Sequence, residues 1–172
     1  MPKIYLKSNE LREKIMKGVD QLASNVATTL GPKGRNVIIH LKGNNPIITK
    51  DGVTVAKSVN LEDEFEDLGA QLVKQATSRT NTEAGDGTTT STVLTQTMLR
   101  LGFAAIQEEV SVTQIKRGME AARDDALLIL DESSTSMNSI EEIEHVARIS
   151  SNGDEQITDL ITKAVTSVGK GG

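Results

Sequence analysis

Apolar residues recur at steps of three and four positions through most of the 172-residue chain, which is the period of amphipathic helices. The first stretch predicts a helix from Ser8, as its N-cap, to Leu30, where Gly31 and Pro32 end it. Further helices are predicted over Glu62–Glu83, from about Thr88, after capping boxes at Ser111–Gln114 and Ser139–Glu142, and along a stripe from Ile157 to Val168. The pattern therefore predicts a mainly α protein.

The apolar stripe of each helix also predicts the face that the helix buries. In the helix at 62–83 the inward residues are expected to be Phe65, Leu68, Leu72, Val73 and Ala76. In the helix from Thr88 they are expected to be Val93, Leu94, Met98, Leu101 and Ala105. In the helix after Ser111 they are expected to be Ile115, Met119, Ala122, Ala126 and Ile129.

Alternating apolar and polar positions are confined to short segments near the N-terminus. Lys3–Lys7 predicts a terminal strand, which needs a partner in this chain or in a neighbour. Arg35–Leu41 and Pro46–Thr49 predict a β-hairpin, with Gly43 and Asn44 at or near its turn. The expected β content is thus one small hairpin and one strand.

The amino-acid composition of the chain changes at Asp131–Asn138, which is polar and poor in helix formers. This segment predicts a boundary between a first region, residues 1–133, and a second region, residues 134–172. Both regions carry helical stripes, and no internal repeat of useful length links them.

Composition narrows the classes of fold and function. The chain has one Tyr, two Phe and no Trp, so its core must be aliphatic, which favours helix-on-helix packing. There is no Cys, and this excludes disulfides and thiolate metal sites. A net charge of -5 with few aromatics is a poor basis for nucleic-acid binding. No apolar segment has the length of a membrane span, and we expect a soluble protein without a targeting segment.

The segment Thr82–Thr92, TEAGDGTTTST, is the strongest candidate for chemistry. Its two glycines allow close approach of a ligand to the backbone, and the helix start that follows offers free N–H groups to an anion. Asp86 would repel a phosphate unless a cation lay between them, and Mg²⁺ binds through a few carboxylates and phosphate oxygens. The alternative is an ordinary loop with a capping threonine and a helix-ending glycine.

Two further segments carry weaker signals. Thr29–Arg35 fits a loop lying against a nucleotide, but by itself it is more typical of a helix C-cap that leads into a hairpin. In Thr49–Gly52, Lys50 could neutralise a phosphate and Asp51 could orient or deprotonate a water. The alternative there is a turn with a solvated ion pair.

These motifs occur in one order that resembles the N-terminal part of a group I chaperonin, the Hsp60/GroEL family. The motifs that carry the resemblance are TLGPKGRN, ITKDGVTVAK, EDLGAQLVK, AGDGTTTSTVL and IKRGM, in chain order. The resemblance extends from about Lys7 to Gly172. One departure is Glu109–Gln114, which lacks the Gly and the Pro usual in that loop of the family.

The resemblance implies a site for ATP and Mg²⁺, with K⁺ as a further candidate ion. Its nucleotide loop would be Thr29, Leu30, Gly31 and Pro32; its phosphate side would be Lys50; its phosphate cradle would be Gly87, Thr88, Thr89 and Thr90. Asp86 would be the metal ligand, Asp51 would act in hydrolysis, and Ile149 would reach the nucleotide from the second region.

The resemblance also implies an architecture and partners. Residues 1–133 would be the first segment of an equatorial ATP-binding domain, and residues 134–172 the start of an intermediate domain. The apical domain and the second equatorial segment would lie outside the chain. The implied protein is a cytoplasmic, ring-forming ATPase that folds unfolded polypeptides with a co-chaperonin, although an organellar or virus-encoded origin stays open. The alternative is a non-catalytic nucleotide-binding or assembly module that joins full-length subunits.

Overall fold

The structure is a computed structural model, and it describes residues 6–40, 43, 45–137 and 139–169. The elements are α1 (Ser8–Ala27), β1 (Val37–Ile39), β2 (Ile47–Thr49), α2 (Gly52–Ser58), α3 (Glu64–Ala84), α4 (Thr88–Gln107), α5 (Val112–Ser133), α6 (Ile140–Ser150) and α7 (Glu155–Val168). The mainly α prediction is confirmed. Most of the predicted strand Lys3–Lys7 lies outside the described residues, and Lys7 itself is the N-cap of α1.

The chain divides into two compact units, Met1–Arg117 and Gly118–Gly172. In the first unit, α1 to α4 enclose an aliphatic core, as composition predicted. Its buried members are Val19, Leu22, Val26, Val55, Ala56, Ala70 and Val73. The second unit contains the rest of α5 and the packed pair α6 and α7. The division falls inside α5, and the domain boundary at 133/134 stays a prediction.

Helices α1 and α3 touch through their backbones. A Cβ added to Gly18 would lie 1.7 Å from the carbonyl oxygen of Glu66, and one added to Gly69 would lie 2.1 Å from that of Ile15. Only glycine fits at such a distance. The close approach lets Lys17 and Gln21 reach the buried Glu66 carboxylate, so that this charge is paired and hydrogen-bonded.

The ends of α1 differ from the prediction. Ser8 is the first helical residue and does not act as the N-cap; Lys7 takes that position and makes no side-chain cap. The helix ends at Ala27 rather than Leu30, and the N–H groups of Thr29 and Leu30 donate to the carbonyl groups three residues earlier instead of four, as in a tightened last turn. Residues 28–35 therefore form a loop.

The hairpin is confirmed, with antiparallel pairs Val37–Thr49, Ile38–Ile48 and Ile39–Ile47. Gly43 lies in its turn, and Asn44 lies outside the described residues. Helix α2 was not predicted. It begins because the Asp51 side chain caps it, accepting hydrogen bonds from the backbone N–H groups of Val53 and Thr54.

The predicted inward faces are partly wrong. In α3, Val73 is buried as expected, but Leu68 and Leu72 are about half exposed. The buried face of α3 instead carries Glu66, Gly69, Ala70, Val73 and Thr77. In α4 only Thr88 and Thr92 are buried, whereas Leu94, Met98 and Leu101 are exposed. No described residue of α5 is buried. In α3, small side chains face inward because its backbone approaches that of α1 so closely.

The capping box at Ser139 and Glu142 is confirmed in both directions. At the start of α5, the Ser111 hydroxyl accepts from the Gln114 N–H, as its predicted box requires. Glu109 has a φ of +64°, which is uncommon for residues other than glycine. Glu109 begins the segment 109–114, in which the family loop usually has a glycine. Among the described residues, no helix is long and apolar enough to cross a bilayer.

We expect Gly18→Ala to lower the free energy of unfolding by about 1–3 kcal/mol or more, because its Cβ would overlap the Glu66 backbone. Urea denaturation measures this. The control is Gly118→Ala in α5, where a Cβ meets nothing within 4 Å and alanine favours helix by up to about 1 kcal/mol. Equal stability of Gly18→Ala and the wild type would contradict the α1–α3 contact.

Candidate functional site

The turn between α3 and α4 is built on two glycines in the left-handed conformation. Gly85 is the C-cap of α3 with φ +73°, and Gly87 is the N-cap of α4 with φ +84°. Glycine adopts such angles without a steric penalty. No side chain caps α4, so the N–H groups of its first turn point outward at the positive end of the helix dipole. This is the geometry of an anion site.

Asp86 lies at the tip of this turn and is exposed. One of its carboxylate oxygens, Oδ1, accepts a hydrogen bond from the Gly87 N–H at 2.6 Å. The described residues contain no group of three or more His, Asp or Glu side chains placed to hold a metal. A cation at Asp86 would therefore take most of its ligands from phosphate oxygens and water, which is how Mg²⁺ commonly binds.

The three threonines after Gly87 point in different directions. Thr88 is buried, Thr89 is half-buried and Thr90 is exposed. The Thr89 hydroxyl lies 3.1 Å from the hydroxyl of Thr29, in the loop that follows α1. This contact brings the first two sequence motifs together, although 60 positions separate them.

The start of α2 lies against the start of α4 on the other side. A Cβ on Gly52 would lie 2.5 Å from Thr89 Oγ1 and 3.2 Å from Thr88 Oγ1. Only glycine leaves the two hydroxyl groups in place. Asp51, next to Gly52, is thereby held close to the Thr88–Thr89 turn. All three motifs singled out in the sequence thus meet at one place in the first unit.

Asp51 is fixed by its own helix. Its carboxylate accepts from the N–H of Val53 at 3.3 Å, from the N–H of Thr54 at 2.9 Å and from the Thr54 hydroxyl. Partial burial raises the pKa of Asp51, but these hydrogen bonds and the charge of Lys57 outweigh it, and the net pKa is lowered. Asp51 is therefore an anion at neutral pH.

Other predicted residues lie at the edge of this arrangement or outside it. Leu30, Gly31 and Pro32 are exposed in a loop closed by the hydrogen bond from the Arg35 N–H to the Thr28 carbonyl, 2.8 Å long. Lys50 is exposed and makes no ion pair with the described residues. Ile149 belongs to the second unit, where its side chain is 81% exposed, and its role stays a prediction.

Sequence reasoning assigned no role to Gly52 or Thr54, which the structure places in the site. The signal for Thr54 was Asp51 itself, since aspartate is a preferred N-cap and accepts from the backbone N–H two or three residues later. Gly52 gave no such signal, because its importance comes from the distant Thr89. Only the folded chain shows that contact.

The chain is similar to chaperonins over nearly its whole length. The model of the TCP-1/cpn60 chaperonin family matches residues 22–171. "Chaperonin GroEL 3" of Psychromonas ingrahamii is 47% identical over 165 residues, and "Chaperonin CPN60, mitochondrial" of Euglena gracilis is 49% identical over 163 residues. The matches cover 96% and 95% of this chain. They cover 30% and 29% of those relatives, so this chain spans less than a third of their length.

Solved structures of similar fold include a group III chaperonin in the open state, with a TM-score of 0.77 and 26% identity. The match covers 92% of this chain and 32% of that one. Chaperonin gp146 of bacteriophage EL, solved in the presence of ATP-BeFx, gives a TM-score of 0.76 at 26% identity. That match covers 93% of this chain and 28% of gp146. Both likenesses extend over nearly all of the present chain.

We expect Asp51→Asn to reduce the loss of stability on acidification. The lowered pKa of Asp51 means that its carboxylate stabilises the fold above the unfolded pKa of about 4, and that this stabilisation is lost as pH falls through the folded pKa. Asparagine keeps a capping oxygen but has no charge to lose. Urea midpoints at several values between about pH 6 and pH 3 measure this.

The matched control is Asp159→Asn, which removes an exposed aspartate of α7, far from this motif in sequence. Its midpoints should follow those of the wild type. Identical pH profiles for Asp51→Asn and the wild type would show that the Asp51 carboxylate does not hold α2 in the way the structure indicates.

Proposed function

The chain belongs to the TCP-1/cpn60 chaperonin family, and we propose that it is the N-terminal part of an ATP-dependent protein-folding chaperonin subunit. The observation that carries the proposal is the meeting of Thr29, Gly52 and Thr89 beside the uncapped start of α4. That arrangement joins an anion-binding helix start to two carboxylates, Asp51 and Asp86. It is the combination that binding of a magnesium–phosphate group requires.

The proposed roles follow from where each group lies. The N–H groups of Thr88–Thr90 and the hydroxyls beside them bind phosphate oxygens, and Asp86 holds the magnesium ion. The ammonium group of Lys50, free of ion pairs with the described residues, neutralises phosphate charge. The loop from Thr29 to Pro32 lies along the nucleotide, and Ile149 is a further residue proposed to contact it. Bound Mg²⁺ supplies charge stabilisation to phosphoryl transfer.

Asp51 is suited to orient a water molecule more than to take its proton. Its hydrogen bonds and lowered pKa make it a weak base. A carboxylate has about four lone-pair sites, and hydrogen bonds from the start of α2 occupy only part of them. The hydrogen bonds from Val53 and Thr54 leave about one site, which can accept from a water held beside the phosphate. Phosphoryl transfer relies mainly on such positioning.

The rest of the proposal concerns the longer protein. Residues 1–133 would form the first segment of the equatorial domain, and residues 134–172 would begin the intermediate domain. The parent would assemble into a homo-oligomeric ring, bind unfolded polypeptides and act with a co-chaperonin. We infer a cytoplasmic location, with an organellar matrix as the alternative suggested by the mitochondrial relative of Euglena gracilis.

The second candidate is a non-catalytic module that associates with full-length subunits. The exposed leucine and methionine side chains on α3 and α4 favour it, because apolar surface of that extent tends to be covered by another chain. These residues are Leu68, Leu72, Leu94, Met98 and Leu101. The two candidates differ in turnover: sustained ATP hydrolysis by the purified chain would contradict the non-catalytic module.

We expect the chain to bind Mg-ATP, and Asp86→Ala to abolish the magnesium dependence of that binding, because the variant lacks the carboxylate at the turn. Titration calorimetry with and without magnesium measures this, after circular dichroism has shown that each protein is folded. The control is Glu83→Ala, which removes another exposed carboxylate three residues earlier.

Three outcomes have distinct meanings. Loss in Asp86→Ala alone supports the proposed site. Equal loss in both variants would mean that general negative charge, and not a metal ligand, supports binding. Absence of binding in the folded wild type would contradict a competent half-site in this chain and confine the activity to the longer parent.

A further inference from the structure

Two hydroxyl pairs cross between α3 and α4 directly behind the candidate site. Thr77 Oγ1 lies 2.8 Å from Thr92 Oγ1, and Thr80 Oγ1 donates to Ser91 Oγ at 3.0 Å. Thr77 and Thr92 are 1% and 0% exposed. Burying two hydroxyl groups costs free energy unless they find partners, whereas aliphatic side chains would need none at this contact. The pairs therefore call for an explanation beyond packing.

The pairs determine how far α4 can slide along α3. The two helices run antiparallel, because Thr80 of α3 pairs with Ser91 of α4, and the earlier Thr77 pairs with the later Thr92. The helices are joined by only three residues, 85–87. A hydrogen bond holds one distance and direction, while contacts between apolar surfaces tolerate sliding. The pairs thus fix where the first turn of α4 lies relative to the last turn of α3.

Proton counting links the buried pair to the site. Thr77 and Thr92 have one hydroxyl proton each, yet three acceptors lie in reach: the other hydroxyl, the Val73 carbonyl at 2.9 Å and the Thr88 carbonyl at 2.9 Å. If Thr77 donates to Thr92, then Thr92 donates to the carbonyl of Thr88, the first residue of α4; if Thr92 donates to Thr77, then Thr77 donates to the carbonyl of Val73. In both arrangements the hydroxyl pair joins α3 to α4 one turn after the start of α4.

Resting on the nucleotide site proposed above, we infer that Thr77 and Thr92 are positioning residues of that site. They touch no ligand. Their hydrogen bond holds the first turn of α4 at the position along α3 where the Thr89 hydroxyl meets Thr29 and Gly52. Thr80 and Ser91 support the same register one turn closer to the ligand.

The experiment compares Mg-ATP binding to the wild type, Thr77→Val, Thr92→Val and the double variant, each in the chain at the full length its gene encodes. Valine keeps the shape of threonine and removes the hydrogen bond. Each single variant should raise the Kd about fivefold or more, the effect of one lost hydrogen bond. The double variant should do little more than either single one, because the two residues act as a pair. Thr92→Ser restores a hydroxyl and should restore affinity.

A second readout needs no nucleotide. Amide hydrogen exchange of residues 91–94, whose N–H groups donate to the carbonyl groups of residues 87–90, should be faster in Thr92→Val than in the wild type, because the first turn of α4 loses its hydrogen bond to α3. The matched control is Thr158→Val in the second unit. It removes an equally buried hydroxyl, 2.8 Å from Ser151 Oγ, and should lower stability while leaving both readouts unchanged.

Each result decides between the proposals. If the wild type binds Mg-ATP and both valine variants bind equally well, the inference is wrong and the proposed function stands. If exchange at residues 91–94 does not change, the inference is also wrong. If the wild type does not bind Mg-ATP, both the inference and the proposed function are wrong. Should Thr92→Val fail to fold, the half-buried pair gives the same test through Thr80→Ala and Ser91→Ala.

Discussion

The backbone contact between α1 and α3 is the constraint on which the first unit depends. Gly18 and Gly69 let the two helices approach until carbonyl oxygens occupy the space of missing Cβ atoms. From that crossing follow the small buried face of α3 and the pairing of Glu66 with Lys17 and Gln21. It also places the loop after α1, with Thr29, beside the start of α4.

The candidate site is the place where three chain segments end or begin. Thr29 follows α1, Gly52 begins α2 and Thr89 lies in the first turn of α4. The first N–H groups and the last carbonyl groups of a helix have no partner within the helix. Where several helix ends meet, these backbone groups are brought together and can bind a ligand without charged side chains. Asp51 and Asp86 then add two carboxylates with separate duties, one fixed by α2 and one exposed at the turn. Glycine at position 52 is what allows the meeting, since any Cβ would displace Thr89.

Much of this could be predicted, and the errors have two causes. Helix periods, the hairpin and the capping box at Ser139 follow from local chemistry, and the structure has them. The prediction of the buried face of α3 was wrong at Leu68 and Leu72. The helical period shows that a helix has an apolar stripe, but it does not show which neighbour covers that stripe. The short helix α2 was missed, since seven residues give too little periodicity and its start depends on one aspartate.

The sequence by itself determined the element types, the aliphatic core and the order of motifs that marks the family, because these depend on residues close together in the chain. Only the tertiary structure decided which surfaces are covered and which distant groups meet. The contact of Thr29 with Thr89 and the buried pair of Thr77 with Thr92 span 60 and 15 positions, and no local pattern encodes them. The first of these contacts depends on glycine at position 52, because a Cβ there would displace the Thr89 hydroxyl.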